Sequence, residues 1–194
     1  MPITIGHAAS HGFDQPIGLL SDCHRRVELF LGAMQSVAGA EQGRELAPAS
    51  RGALEQASRY FTLAGPRHTA DEEQSLFPRL RLLGDPRVTA CLATMETLEA
   101  DHRQAETWHA VVQSLVQTWL TAGALSADDA AVLVASLASL RTLYTRHIAI
   151  EDHELFPIAG EVLSPDDLES IGREMAGRRG VPFRPPGFQG PTPA

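Results

Sequence analysis

The 194-residue sequence predicts an all-α protein: an antiparallel up-down four-helix bundle with a short C-terminal helix and a disordered Pro/Gly-rich tail. Three observations carry this prediction. Apolar residues recur at spacings of three and four through four long segments, the period of a helix with one buried face. Short stretches rich in Gly, Pro and Asp join the segments, so consecutive helices fold back on one another. No run alternates apolar and polar residues as a half-buried strand would, and no hairpin turn competes.

Residues 1–13 read as an N-terminal arm, 14–179 as the helical domain and 180–194 as the tail. The first helix opens at Pro16, which suits a first helical turn, with Asp14 upstream as its expected cap. Its buried face is Ile17, Leu20, His24, Val27, Leu31 and Met34, and Gly39 to Pro48 connects it to the next. A second helical pattern runs from about Ser50 through Leu54, Ala57 and Phe61 to Leu83, kinked or restarted at Gly65-Pro66. Gly84-Asp85-Pro86 stops it. The third helix carries Val88, Leu92, Met95, Leu98, His102, Ala105, Trp108, Val112, Leu115 and Trp119. Ser126 caps the fourth, which carries acids in its first turn and continues through Leu133, Leu137, Leu140, Tyr144, His147 and Glu151 to about Val162. Ser164 caps a short fifth helix ending near Gly177.

Composition excludes several chemistries. The chain has no Lys, so its 16 positive charges are all Arg. That removes a Schiff-base or pyridoxal lysine, a Walker P-loop and a kinase-type lysine. A net charge of −8 argues against nucleic acid as a partner, which needs a basic footprint. No basic-then-apolar leader is visible, and the longest apolar run, near Ala130 to Ala135, is far short of a membrane span. Cys23 and Cys91 stand alone in separate segments, which suits a reducing cytoplasm better than a disulfide framework.

The chemistry lies in a repeat. His68-Thr-Ala-Asp-Glu72-Glu73-Gln-Ser-Leu76-Phe77-Pro78 matches His147-Ile-Ala-Ile-Glu151-Asp152-His-Glu-Leu155-Phe156-Pro157, 79 residues later. The shared form is H-x3-E-[ED]-x2-L-F-P. Upstream of each stands a second matching element, Asp22-Cys-His24 and Asp101-His102. On a helix, residues i and i+4 share a face, so His68 points with Glu72 and His147 with Glu151. Imidazole and carboxylate together suit iron, manganese or zinc rather than calcium or copper(I). Helices one and three add His24 and His102. Four imidazoles and two carboxylates are too many for a single tetrahedral zinc and enough for two metals, each with two His, bridged by both carboxylates. Burying these groups without a metal carries a heavy desolvation cost. The Leu-Phe-Pro tails read as core residues followed by a helix kink or end.

The doubled motif resembles that of the hemerythrin-like family, the HHE cation-binding domain. The resemblance rests on His24, His68 with Glu72, His102, His147 with Glu151, and the two Leu-Phe-Pro tails, over roughly residues 14–160. It implies an up-down bundle around two iron ions, oxo- or hydroxo-bridged, with manganese or zinc as substitutes. Such a centre binds dioxygen, nitric oxide or peroxide, or senses iron and oxygen. The sequence departs from the oxygen carriers of that family, which place a fifth His four residues after the one on helix three. Glu106 stands there instead. Those carriers also use H-x4-D on helix four. Here Glu151 gives H-x3-E and Asp152 gives H-x4-D, so either carboxylate can serve; Glu151 is preferred because it matches Glu72.

Glu28 and Glu106, each four residues after an upstream His, are extra ligands, acceptors for an imidazole N–H, or surface acids. His109 reads as packed or hydrogen-bonded in the core, His153 as surface, and His7 and His11 as solvated. Tyr144, one turn before His147, reads as packing or as a hydrogen-bond donor to a bound oxygen species. A ferritin-like carboxylate enzyme is disfavoured, because Glu99-x-x-His102 and Glu106-x-x-His109 fall on one helix. Function classes stay open between a binding or sensing protein and a di-iron redox enzyme of oxidase, peroxidase or nitric oxide reductase type, or an iron-centre repair factor; a purely structural metal is a third. The expected partner is a small diatomic or peroxide ligand, not nucleic acid or membrane. A homo-oligomer stays open, and Trp108 and Trp119 read as core or interface residues.

Overall fold

A computed structural model describes residues 11–184, and among these residues there is no strand. The elements are α1 (Pro16–Glu41), α2 (Pro48–Leu63), α3 (Gly65–Asp71), a first π segment (Glu72–Leu76), α4 (Phe77–Leu82), α5 (Pro86–Ala122), α6 (Ala127–Ile150), a second π segment (Glu151–Leu155), α7 (Phe156–Val162) and α8 (Pro165–Arg178). Helix α1 packs against α2 and α6, and α5 packs against α6 and α2. The long helices therefore close a ring around one interior.

Local chemistry explains most of the boundaries. Ser126 accepts the Asp129 N–H at 3.0 Å, and Ser164 forms a capping box with Asp167. Asp14 does not cap α1. A turn closed by Gln15 N–H on the Gly12 carbonyl puts Gln15 at the cap position, where its side chain makes no capping bond. Ala64 breaks the second pattern, and Pro66 falls in the first turn of α3, where its missing N–H costs nothing. His68 and Glu72 thus stay on one continuous turn.

The Leu-Phe-Pro tails do not end a helix at the proline. Each lies just after a π segment in which the Phe77 and Phe156 N–H groups reach back five residues, to the Glu72 and Glu151 carbonyls. Proline has no N–H, and its ring collides with the carbonyl four residues earlier. For Pro78 and Pro157 those carbonyls belong to Gln74 and His153. Widening the preceding turn relieves the clash and lets the helix run on into α4 and α7.

The interior is divided. One apolar cluster includes Val27, Leu31, Met34, Leu54, Phe61, Val112, Trp119, Leu133 and Leu137. The other includes Leu20, Leu76, Phe77, Leu80, Met95, Leu98, Leu155 and Phe156. Along α1, α5 and α6 the histidines fall between them.

Helix α8 lies against α1 and α3. Asp71 is fully buried and receives Arg178 at 2.9 Å and Arg179 at 2.7 Å, while Glu174 pairs with Arg79 at 2.6 Å and accepts from Ser75. Gly172 is obligatory here, because a Cβ would collide with the Phe13 carbonyl oxygen. His11 is only partly solvated: its backbone N–H and Nδ1 contact buried Asp22 at 2.8 and 3.2 Å. Of the arm, residues 11–13 are described, and of the tail, residues 180–184, with Phe183 beneath Arg173; positions 1–10, His7 among them, and 185–194 lie outside the described residues.

Asp71→Ala would leave two arginines facing a buried hole, each able to swing partly into water. We expect a loss of about 3 kcal/mol in unfolding free energy, read as a lower urea midpoint, with Arg173→Ala on the exposed side of α8 nearly neutral.

Candidate metal centre

His24 from α1, His68 from α3, His102 from α5 and His147 from α6 converge with Glu72 and Glu151, the first residues of the two π segments. All six are buried, and both carboxylates are at 0% exposure. They form two overlapping groups. Potential ligand atoms of His24, His68, Glu72 and Glu151 lie within 4.8 Å of one another, and so do those of Glu72, His102, His147 and Glu151. Both carboxylates belong to both groups. The imidazoles pair accordingly, with ring centroids 4.9 Å apart for His24 and His68 and 4.7 Å for His102 and His147.

The contacts have the spacing of ligands around a shared point. His24 Nε2 is 3.0 Å from Glu151 Oε2, His147 Nε2 is 3.1 Å from the same oxygen, His68 Nε2 is 3.3 Å from Glu72 Oε1 and His102 Nε2 is 3.3 Å from Glu72 Oε2. Two ligands at right angles, each about 2.1 Å from a metal, sit about 3.0 Å apart. Yet all four carboxylate oxygens, and the Nε2 atoms of His24 and His102, are buried without a hydrogen-bond partner. Native interiors rarely leave such groups orphaned. Lone pairs aimed at common points rather than at one another account for both facts, so the donor set fits a metal pair.

Electrostatics agree. Burial opposes charge on His24, but facing Asp152, Glu151 and Glu72 outweigh it and hold its pKa well above the usual imidazole range. Burial likewise opposes His102, and Glu72 and Glu73 carry it up to about 9. Burial dominates at His68 and lowers its pKa, against the pull of Glu72. Glu72 is held well below the usual carboxylate range because His68, His102 and His24 overcome its burial. Glu151 is lowered too, its burial and the charge of Glu72 being outweighed by His147 and His24. The carboxylates are therefore ionised, and a metal would displace the protons that His24 and His102 hold in its absence.

Two acids hold positions that the sequence reading does not give them: Glu73 is not singled out there, and Asp152 is weighed only as an alternative to Glu151. Glu73 accepts from His102 Nδ1 at 2.8 Å, and Asp152 faces His24 Nδ1 at 3.0 Å. Each π segment thus offers one carboxylate inward and the next one sideways to the first histidine of the other half. Such contacts fix ring orientation and raise ligand basicity. The signal was present in the repeat, as the second acid of H-x3-E-[ED]. It also separates Glu151, which lies in the cluster, from Asp152, which lies beside it. His147 Nδ1 lies 3.5 Å from Asp101, itself held by Arg146, and His68 Nδ1 has no partner.

The other candidates fall away from the cluster. Glu28, Glu106 and His153 are exposed. His109 bonds the Tyr144 hydroxyl at 2.9 Å through Nε2 and packs its ring on Phe61 at 4.5 Å. A cavity of about 270 Å³ reaches all four histidines and passes between α3 and α5.

Burial lowers the His109 pKa to about 4. A base depressed in the folded state contributes its full stability above the unfolded value near 6.5, and that stability falls as pH drops toward 4, because only the unfolded chain takes the proton. Relative to a His109→Phe variant, the wild type should lose about 2 kcal/mol between pH 7 and pH 5, measured by urea unfolding at each pH.

The hemerythrin HHE cation-binding domain matches residues 15–159. The chain is also 29% identical over 170 residues to an uncharacterized protein of Haemophilus influenzae, spanning 87% of this chain and 92% of that one. Among the described residues no helix is long and apolar enough to cross a membrane, and both cysteines are free.

Proposed function

Because the chain belongs to the hemerythrin HHE cation-binding domain family, we propose that it is a non-haem di-iron protein that binds or senses dioxygen, nitric oxide or peroxide, or reports iron and redox status. In this reading an antiparallel up-down bundle holds the two ions in a reducing cytoplasm. His24 and His68 would hold one iron and His102 and His147 the other, with Glu72 and Glu151 belonging to both donor groups. Manganese or zinc can occupy the same donors. When bound, iron supplies a redox-active, Lewis-acidic pair able to take a small ligand.

The observation that carries the proposal is the set of buried donor atoms without partners, arranged in two groups that share two carboxylates. The chain's own residues do the rest. Asp152 and Glu73 orient His24 and His102. The apolar clusters on either side exclude water, and the cavity admits a ligand from the α3–α5 side.

The test is metal analysis of the full chain purified without chelator, with an absorption spectrum before and after exposure to air. Two irons per chain and an air-dependent spectrum are expected. One tightly held metal per chain, or none, would overturn the proposal. Glu73→Ala and Asp152→Ala are each expected to weaken metal binding about ten- to a hundredfold in competition with a chelator of known affinity, while the fold is retained.

A further inference from the structure

The cavity beside the four histidines is larger than a diatomic ligand requires. A water molecule takes about 30 Å³ of liquid volume, and an apolar cavity near 150 Å³ already holds benzene; this one has about 270 Å³. Val27, Phe61, Ala105 and Ile148 give it apolar walls. Glu73, Glu106 and Arg103 stand on its lining.

One polar pair on the lining has no part in the metal cluster. His109 Nε2 and the Tyr144 hydroxyl are bonded at 2.9 Å, and His109 Nδ1 is buried with no partner. Two proton arrangements are open to the pair. If Nε2–H donated to the phenol, the phenolic hydrogen and the Nδ1 lone pair would both go unmet. If the phenol donates to Nε2, only the Nδ1–H is unmet. Leaving fewer buried groups unsatisfied favours the second arrangement, and a buried phenol whose pKa is raised keeps its proton to donate.

We propose that this cavity is a binding site for a small, neutral, largely apolar organic molecule carrying one hydrogen-bond acceptor, such as a carbonyl or ether oxygen, and that His109, backed by Tyr144, recognises that acceptor. The inference deepens the di-iron reading by naming a second occupant of the same site. Its test does not depend on the metal.

The probes are acetophenone and ethylbenzene, which match in shape and differ in the acceptor. Binding is measured by equilibrium dialysis against the full chain as purified, with metal content determined on the same samples. Saturable binding of both probes is expected. His109→Phe keeps a ring on Phe61 and should weaken acetophenone about fivefold, as one net hydrogen bond implies, while leaving ethylbenzene unchanged. Tyr144→Phe, which frees Nε2 to take the proton, should weaken acetophenone in the same direction. Ala105→Phe and Thr69→Trp, filling the cavity from opposite walls, should abolish binding of both. Absence of saturable binding to the wild type, equal weakening of both probes by His109→Phe, or undiminished binding to both filled variants would overturn the inference. A chain with two irons and no probe binding fails this inference alone; a chain that binds acetophenone but no metal fails the di-iron reading alone.

Discussion

If the centre holds a metal pair as proposed, alanine at position 72 is expected to empty it of both metals, not of one. Glu72 Oε1 faces His68 at 3.3 Å and His24 at 3.8 Å, and Oε2 faces His102 at 3.3 Å. The carboxylate is therefore common to both halves, and its loss takes one anionic donor from each position at once. His68→Ala removes a neutral donor from one position only. We expect metal content to fall from about two per chain to below about 0.2 for Glu72→Ala, and to about one for His68→Ala, a contrast that follows from shared carboxylate bridging. The measurement is elemental analysis of protein purified in parallel, with circular dichroism to verify helix content. The dichroism control is needed because the variant also leaves His24, His68 and His102 without the carboxylate that faces them. Equal stoichiometry in Glu72→Ala and wild type would reject the bridging role.

That the six residues could be picked from sequence reflects how the fold encodes them. A helix repeats its face every three to four residues, so H-x3-E fixes two donors on one face without knowledge of the partner helices. Duplication of the motif 79 residues later then marks the second half. Helix starts were legible for the same local reason, as with Ser126 and Ser164, whose side chains bond the backbone three residues ahead. What was not legible depends on contacts distant in the chain. Asp71 reads as one more acid until Arg178 and Arg179 arrive from α8. His11 reads as a solvated arm residue until Asp22 is packed beneath it. Asp14 lost the cap to its neighbour because a turn from Gly12 sets the entry angle. The π segments fall between these cases. The prolines that provoke them are in the sequence, but whether a helix answers a proline by ending or by widening depends on what the widened turn can bury. Here it buries Glu72 and Glu151.

Metal removal should lower the melting temperature by about 8–16 °C. A metal that binds only the folded chain stabilises it by RT ln(1+[L]/Kd), about 4 kcal/mol when free metal is a thousandfold above Kd. For a chain of this length each kcal/mol moves the melting point by about 2–4 °C. The site gives a structural reason for a value at or above that range. In the metal-free chain two ionised carboxylates and four imidazoles lie between two apolar clusters, buried and only partly paired. Desolvation is then incurred without its compensation. The scan is run on one preparation as purified, after chelation and after reloading with iron, with metal content measured at each stage. Recovery on reloading distinguishes a vacated centre from a damaged protein. A melting temperature that stays put while the metal is verifiably gone would mean that the ions sit outside this layer.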